Sequence, residues 1–235
     1  MTEYLKQNMK NLYGNKGLSF LKNLNQIISK IEKIKKYKYI KDFKTLSFNY
    51  VGLFEKDNEK YAIKIFVPND EIYGEVFALK NKNLVEIIEY DKNLYCLIEK
   101  YAGNKMLLDL NDNKKETEIA AKLLKKLYIK KEYYNDKKLK NIKDMSKNII
   151  NFYDILSKDI DKNIIDESIQ LFNSLKYEDL YLIHGDFHHF NILINSSPII
   201  IDPKGYLGNI YYEISNYMRN NLKENKEYEI MESLI

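Results

Sequence analysis

Residues 184–191 read HGDFHHFN, and they hold all three histidines of the chain together with an aspartate and an asparagine. Two chemistries compete for such a cluster. Histidines four apart, as His184 and His188 are, share one face when they lie on a helix, which is a zinc-hydrolase arrangement. A carboxylate and an amide on a tight loop, Asp186 and Asn191, instead suit phosphoryl transfer, which needs an oriented hydroxyl and hard oxygen ligands for a divalent ion. The flanks bear on the choice. YLI before the cluster and NILI after it look like strands, and Gly185 stands where a zinc-protease helix carries glutamate. Histidines that pack or hydrogen-bond in a tight loop are the plainer expectation.

Downstream, Asn195, Ser196, Ser197 and Pro198 form a turn signal between the apolar runs NILIN and PIIID. If residue 194 faces residue 199 across that turn, the same register sets Asn191 opposite Asp202. An amide oxygen and a carboxylate then share the open end of one hairpin, and Asp186 lies on the loop feeding its first strand. Asp186 is thereby expected to orient an acceptor hydroxyl and take its proton, with Asn191 and Asp202 as magnesium ligands.

The same chemistry requires a fixed cation on the phosphates and an acid to hold it. In YAIKIFV, Lys64 alternates with Ile63 and Ile65 and leaves the strand on the other face. Glu75 lies on the helix that follows. Apolar residues from Leu21 to Ile34 recur at helical spacing and predict a helix over 18–36. KTLSFNYVGLFEK and KYAIKIFV read as a hairpin about residues 57–59, Pro68 and Asn69-Asp70 as the break and cap before the helix EIYGEVFALKN, and LVEIIEY and LYCLIEKY as two further strands. After residues 102–104 the pattern turns helical, in ETEIAAKLLKKLYIKK, IKDMSKNIINFYDILSK and DESIQLFNSLKYE. Strand lysine, helix glutamate, two strands, helices, loop Asp, Asn and hairpin Asp follow the protein-kinase-like order. The expectation is an α+β, two-lobe fold: a strand-rich nucleotide lobe over 1–100 and a mainly helical catalytic and acceptor lobe over 101–235 that carries the hairpin.

Composition narrows the setting. The single cysteine, Cys96, sits in an apolar run, so no intramolecular disulfide forms and a reducing cytoplasm is expected. No segment approaches the roughly 20 apolar residues that cross a bilayer, and the N-terminus lacks a signal-peptide core, so no membrane partner is expected. The net charge of +4 comes almost wholly from lysines interleaved with acids, with Arg219 the one arginine. Runs such as KIEKIKKYKYIK (30–41) read as solvated helix faces, and a nucleic-acid partner is not expected.

HGDFHHFN resembles the H-G-D-x-x-x-x-N catalytic loop of the aminoglycoside phosphotransferase and choline kinase branch of the kinase-like fold. The continuation NILINSSPIIIDPKGYLGNIYYEISNYMRN is similar to the streptomycin 6-kinase, or aminoglycoside/hydroxyurea resistance kinase, family, and the likeness thins toward AIKIF, EVFALK and LIEKYAG. The resemblance implies Asp186 as catalytic base, Asn191 and Asp202 on magnesium, Lys64 on the ATP phosphates with Glu75 as its partner, and the stretch Glu99 to Tyr101 as the backbone that meets adenine. His188, Lys204, Glu213 and Arg219 match the pattern without an assigned role. The implied activity is ATP- and magnesium-dependent transfer of the γ-phosphate to a small-molecule hydroxyl, aminoglycoside-like by resemblance. A metabolic sugar or amino-alcohol kinase, or a nucleotide-binding protein that has lost transfer, would show the same positions. Phe190 replaces the family glycine, Asn209 replaces an aspartate, Gly52 alone marks the nucleotide-covering turn, and the chain stops at Ile235 where family members continue, which implies a shortened acceptor pocket.

Overall fold

The computed structural model describes residues 3–43, 49–67, 72–130, 138–174 and 180–219. The expected break at Pro68 and the cap at Asn69-Asp70 lie outside the described residues, as do the start of the strand stretch KTLSFNYVGLFEK and the residues after Arg219. The chain divides into two compact units, Met1–Asp70 with Val85–Gly103, and Glu71–Leu84 with Asn104–Ile235. The helix bearing Glu75 therefore counts with the second unit.

In the first unit, α1 (Glu3–Tyr13) and α2 (Asn15–Lys35) precede strands β1 (Lys38–Asp42), β2 (Tyr50–Lys56), β3 (Glu59–Ile65), β4 (Ile87–Asp91) and β5 (Cys96–Lys100). The strands form one antiparallel sheet in the order β1-β2-β3-β5-β4. Asp57 and Asn58, with φ of 52° and 64°, make the tight turn that pairs Lys56 with Glu59. Such residues accept the left-handed conformation that a two-residue hairpin needs.

Two features depart from the expectation. Helix α1 carried no expectation, and residues 38–42 of the lysine-rich run form the edge strand β1 rather than a helix face. The helix stops because Lys36 turns left-handed at φ 63° and caps it, its N–H donating to Glu32 O at 3.1 Å. Glu32 Oε1 then accepts the Tyr39 N–H at 2.9 Å, which starts the strand from the end of the helix.

Strand alternation sorts the two faces of this sheet. Ile63, Ile65, Cys96 and Ile98 pack with Leu5, Met9, Leu24, Ile28 and Ile31 of the two helices. Burial of each aliphatic side chain there contributes roughly 1.5–3 kcal/mol. Lys64, opposite Leu97, and Glu99, opposite Ala62, emerge on the other face. Burial pushes the Cys96 thiol up to about 12, which keeps it protonated and inert.

The second unit holds α3 (Ile72–Ala78), α4 (Asn113–Leu127), α5 (Ser146–Asn151), α6 (Tyr153–Leu156), α7 (Lys162–Ser174) and α8 (Ile210–Arg219). Its strands are β6 (Ile129–Lys130), β7 (Tyr181–Ile183), β8 (Ile192–Ile194), β9 (Pro198–Ile200) and β10 (Tyr206–Gly208). Asp112 accepts the Lys115 N–H while its own N–H donates to Glu116, a reciprocal cap that starts α4. The helix expected over 142–158 is instead a 3-10 turn followed by α5 and α6, broken at Phe152. Ile150, Phe152 and Ile155 are all more than half exposed, so no buried stripe holds a continuous helix there.

The β8–β9 hairpin is bracketed by bridges from Leu84 to Ile200 and from Met106 to Leu193, while β7 pairs separately with β6 and β10. Among the described residues no helix is long and apolar enough to cross a membrane.

Candidate active site

The hairpin register differs by one from the expected one. Ile194 faces Pro198 and Ile192 faces Ile200, because the turn spends three residues, 195–197, and Pro198 already belongs to the strand. Asn191 therefore stands opposite Ile201, whose N–H donates to the Asn191 carbonyl at 2.9 Å. Asp202 follows one residue further, in the left-handed conformation at φ 58°. Both side chains still belong to the open end of the hairpin.

The loop entering β8 is held by its own polar atoms. Asn191 Nδ2 donates to the Asp186 carbonyl at 2.9 Å, which leaves Oδ1 as the oxygen this side chain offers outward. The Phe190 N–H donates to His188 Nδ1 at 3.3 Å, so the proton of the neutral ring sits on Nε2. That nitrogen stands 3.4 Å from Asp186 Oδ1. Burial acts to raise the Asp186 pKa, but His188 and the charge of Lys204 prevail and hold it below the ordinary carboxylate value.

The zinc arrangement is not assembled. His184 Nδ1 accepts the Asp186 N–H at 3.2 Å and Nε2 bonds the Ile201 carbonyl at 2.8 Å, so neither nitrogen keeps a lone pair for a metal. Burial lowers its pKa to about 4 and keeps the ring neutral. His184 thus ties the loop to the hairpin. His189 turns inward, stacks on Tyr217 with centroids 4.0 Å apart, and stands 3.8 Å from Glu116. Among the described residues no three His, Cys, Asp or Glu are gathered as a metal site.

A model of the aminoglycoside/hydroxyurea antibiotic resistance kinase family matches residues 60–230. The chain belongs to that family. No curated protein shows a match. Solved structures with a similar fold include a choline/ethanolamine kinase family protein from Mesorhizobium loti, 12% identical with a TM-score of 0.66, the match covering 90% of this chain and 75% of the other. Choline kinase LicA from Streptococcus pneumoniae is 14% identical with a TM-score of 0.65, covering 90% and 80%. Spectinomycin phosphotransferase APH(9)-Ia, in complex with ADP and spectinomycin, is 16% identical with a TM-score of 0.61, covering 87% and 78%. At these identities the likeness carries the fold, which is the α+β protein-kinase-like one.

Within this kinase-family chain the remaining site residues divide between the units. Lys64 and Glu99, buried at 4% and 6% exposure, project from the face of the first sheet opposite the one that packs α1 and α2. The N–H groups of Lys100 and Tyr101 donate to Glu86 and Lys60 carbonyls at 2.9 and 3.2 Å. Glu75 is buried on α3 in the second unit.

Helix α8 gives Glu213 and Arg219 positions that the sequence left without roles. Glu213 Oε1 accepts the Gly185 N–H at 2.8 Å, and the amides of His184 and Phe187 also face this carboxyl. Arg219 donates to Asn216 Oδ1 at 3.1 Å, and Asn216 Nδ2 donates to the Gly185 carbonyl at 3.4 Å. The signal was present: Glu213 and Asn216 lie one turn apart beside the inward Ile214 and Tyr217.

Burial raises the Glu213 pKa from 4.5 to about 8, against the pull of the backbone amides. The folded carboxyl then keeps its proton to higher pH than the unfolded one. Its contribution to stability is complete below about 4.5 and is lost as pH rises toward 8. Glu213→Gln keeps an acceptor oxygen and does not ionise, so stability over that window is expected to flatten. Thermal unfolding at a series of pH values checks this; an unchanged slope in the variant means another group carries the dependence.

Proposed function

We propose that this chain is an ATP- and magnesium-dependent kinase that passes the γ-phosphate to a hydroxyl of a small, aminoglycoside-like molecule in the cytoplasm. One observation carries the reading: Asp186, Asn191 and Asp202 are brought to one loop and one hairpin end, with the Asn191 nitrogen tied to the Asp186 carbonyl. An amide oxygen and a carboxylate are the hard donors magnesium takes, so the residues present fit that ion. Magnesium bound there with the nucleotide would neutralise charge on the phosphates.

The remaining work falls to the chain itself. Asp186 faces the acceptor, aligns its hydroxyl and receives its proton; its depressed pKa keeps it ionised at neutral pH. His188 holds one Asp186 oxygen so that the other is left for the acceptor. Lys64 is assigned to the nucleotide phosphates and Glu75 to holding that lysine. Catalysis on this reading is positioning and charge neutralisation, which is what phosphoryl transfer requires. The nucleotide assignment is supported by the ADP held in the spectinomycin phosphotransferase structure.

The test is magnesium-dependent ATP consumption by the purified chain against aminoglycosides, streptomycin, hydroxyurea, choline and simple sugars. Turnover on an aminoglycoside is the expected result, and turnover on choline or a sugar alone would replace the acceptor class. Asp202→Ala is expected to weaken magnesium-dependent binding of a non-hydrolysable ATP analogue by at least tenfold, measured by titration calorimetry. Unchanged affinity would remove Asp202 from the metal site.

A further inference from the structure

Alternation along the loop 184–191 sorts its side chains into two sets. Phe187 and His189 are buried and turn toward Tyr217 on α8, Phe187 with ring centroids 6.1 Å apart and His189 in the stack described above. Asp186, His188 and Phe190 are the loop residues that reach solvent, in steps of two. The extended backbone of His188, with φ −159° and ψ 173°, sends neighbouring side chains to opposite sides. The open set is contiguous: His188 Nε2 lies 3.4 Å from Asp186 Oδ1, and its ring meets that of Phe190 at 73° with centroids 5.7 Å apart.

The strip begins at the carboxylate assigned to the acceptor hydroxyl and ends at a phenyl ring on a residue 44% exposed. Single apolar residues scattered over a surface need no explanation. Phe190 is not scattered, because the ring it packs against touches the base. Its backbone N–H bonds His188 Nδ1 and the perpendicular contact sets its tilt, so the phenyl group is held beside the base. We propose that Phe190 is a specificity-determining residue that stacks on the apolar face of a ring in the acceptor, next to the reacting hydroxyl. The inference rests on the kinase reading above and narrows its acceptors to cyclic ones, aminocyclitols and sugars, over open-chain amino-alcohols. A six-membered polyol ring carries C–H groups on its face and hydroxyls or amines at its rim. Covering the face with a phenyl ring takes apolar area out of water, while a rim hydroxyl reaches Asp186. An open-chain acceptor offers no such face.

The test runs the acceptor panel on wild type, Phe190→Ala and Phe190→Tyr, and titrates AMP-PNP, a non-hydrolysable ATP analogue, into each. Wild type is expected to turn over a ring compound of the panel: an aminoglycoside, streptomycin or a sugar. On that compound Phe190→Ala is expected to raise KM about tenfold or more, as truncating an aromatic anchor at a binding site does. Phe190→Tyr, which keeps the ring, is expected to stay close to wild type. AMP-PNP affinity is expected to hold in both variants, which a loosened loop would not allow, since Asn191 is the next residue. Turnover confined to choline or hydroxyurea would overturn the inference and leave the kinase reading in place. So would a KM for Phe190→Ala no higher than that for Phe190→Tyr, an AMP-PNP affinity that falls as steeply as KM rises, or no turnover of any ring compound by a chain that binds AMP-PNP. A wild-type chain that binds no AMP-PNP would remove the kinase reading and this inference with it.

Discussion

Asp186→Asn is expected to lower kcat about 10²- to 10⁴-fold, the range a positioned general base contributes, while AMP-PNP binding stays within about twofold of wild type. The substitution keeps the shape of the side chain and replaces the proton-accepting oxygens with an amide. The loop's carbonyls and amides are held by Asn191, His184, Glu213 and Asn216, none of which bonds the Asp186 carboxylate, and the amide oxygen of the variant can keep the contact with His188 Nε2. Steady-state kinetics on the acceptor found in the panel, beside calorimetry with AMP-PNP, separates the two effects. A variant with wild-type kcat would show that the acceptor hydroxyl needs no base at this position. A variant that loses AMP-PNP as well would show that Asp186 serves the nucleotide instead.

The reason this prediction could be framed from the sequence lies in the kind of residues involved. Asp186, Asn191 and Asp202 stand within one loop and one hairpin, so local turn chemistry was enough to bring them together. It was not enough to set the register: a turn of three residues and one of four look alike in Asn-Ser-Ser-Pro, and the choice depended on whether Pro198 entered the strand. Lys64 was legible for a similar reason, since alternation with Ile63 and Ile65 assigns its face without reference to distant chain. The parts that escaped are tertiary. The end of α2 fell within a residue of the expected 36, but nothing near Lys36 announces that the chain turns there into a strand, so β1 went unread. Strands β6 and β10, of two and three residues, are too short for any pattern and exist because β7 lies between them. The helix expected over 142–158 failed because its apolar residues are exposed, which periodicity alone does not reveal.

Gly205→Ala is expected to be the most damaging single substitution in the second unit. Gly205 has a φ of +65°, and a Cβ built there would stand 1.9 Å from the Gly74 carbonyl oxygen and 2.4 Å from its carbon. The obstacle is backbone on α3, which cannot rotate away as a side chain would. A left-handed alanine costs about 1–2 kcal/mol, and forcing atoms into a filled contact typically costs about 1–3 kcal/mol more. The sum, roughly 2–5 kcal/mol, is a large part of the 5–15 kcal/mol that holds an ordinary domain together. Gly14→Ala provides the comparison without a clash: φ 55° with ψ −132° is a backbone region kept almost wholly for glycine, but nothing lies within 4 Å of the added carbon, so only a conformational cost of about 1–3 kcal/mol applies. Urea unfolding of both variants tests the difference. Equal losses would mean that α3 and the loop at 204–205 do not touch as closely as the structure has them. A larger loss in Gly205→Ala, relieved by a shift of α3, would also displace Glu75, the residue next to Gly74, and Lys204, the residue before Gly205. Magnesium-dependent AMP-PNP binding is then expected to fall more steeply than stability alone accounts for, because one backbone contact between two glycines sets the place of both charged groups.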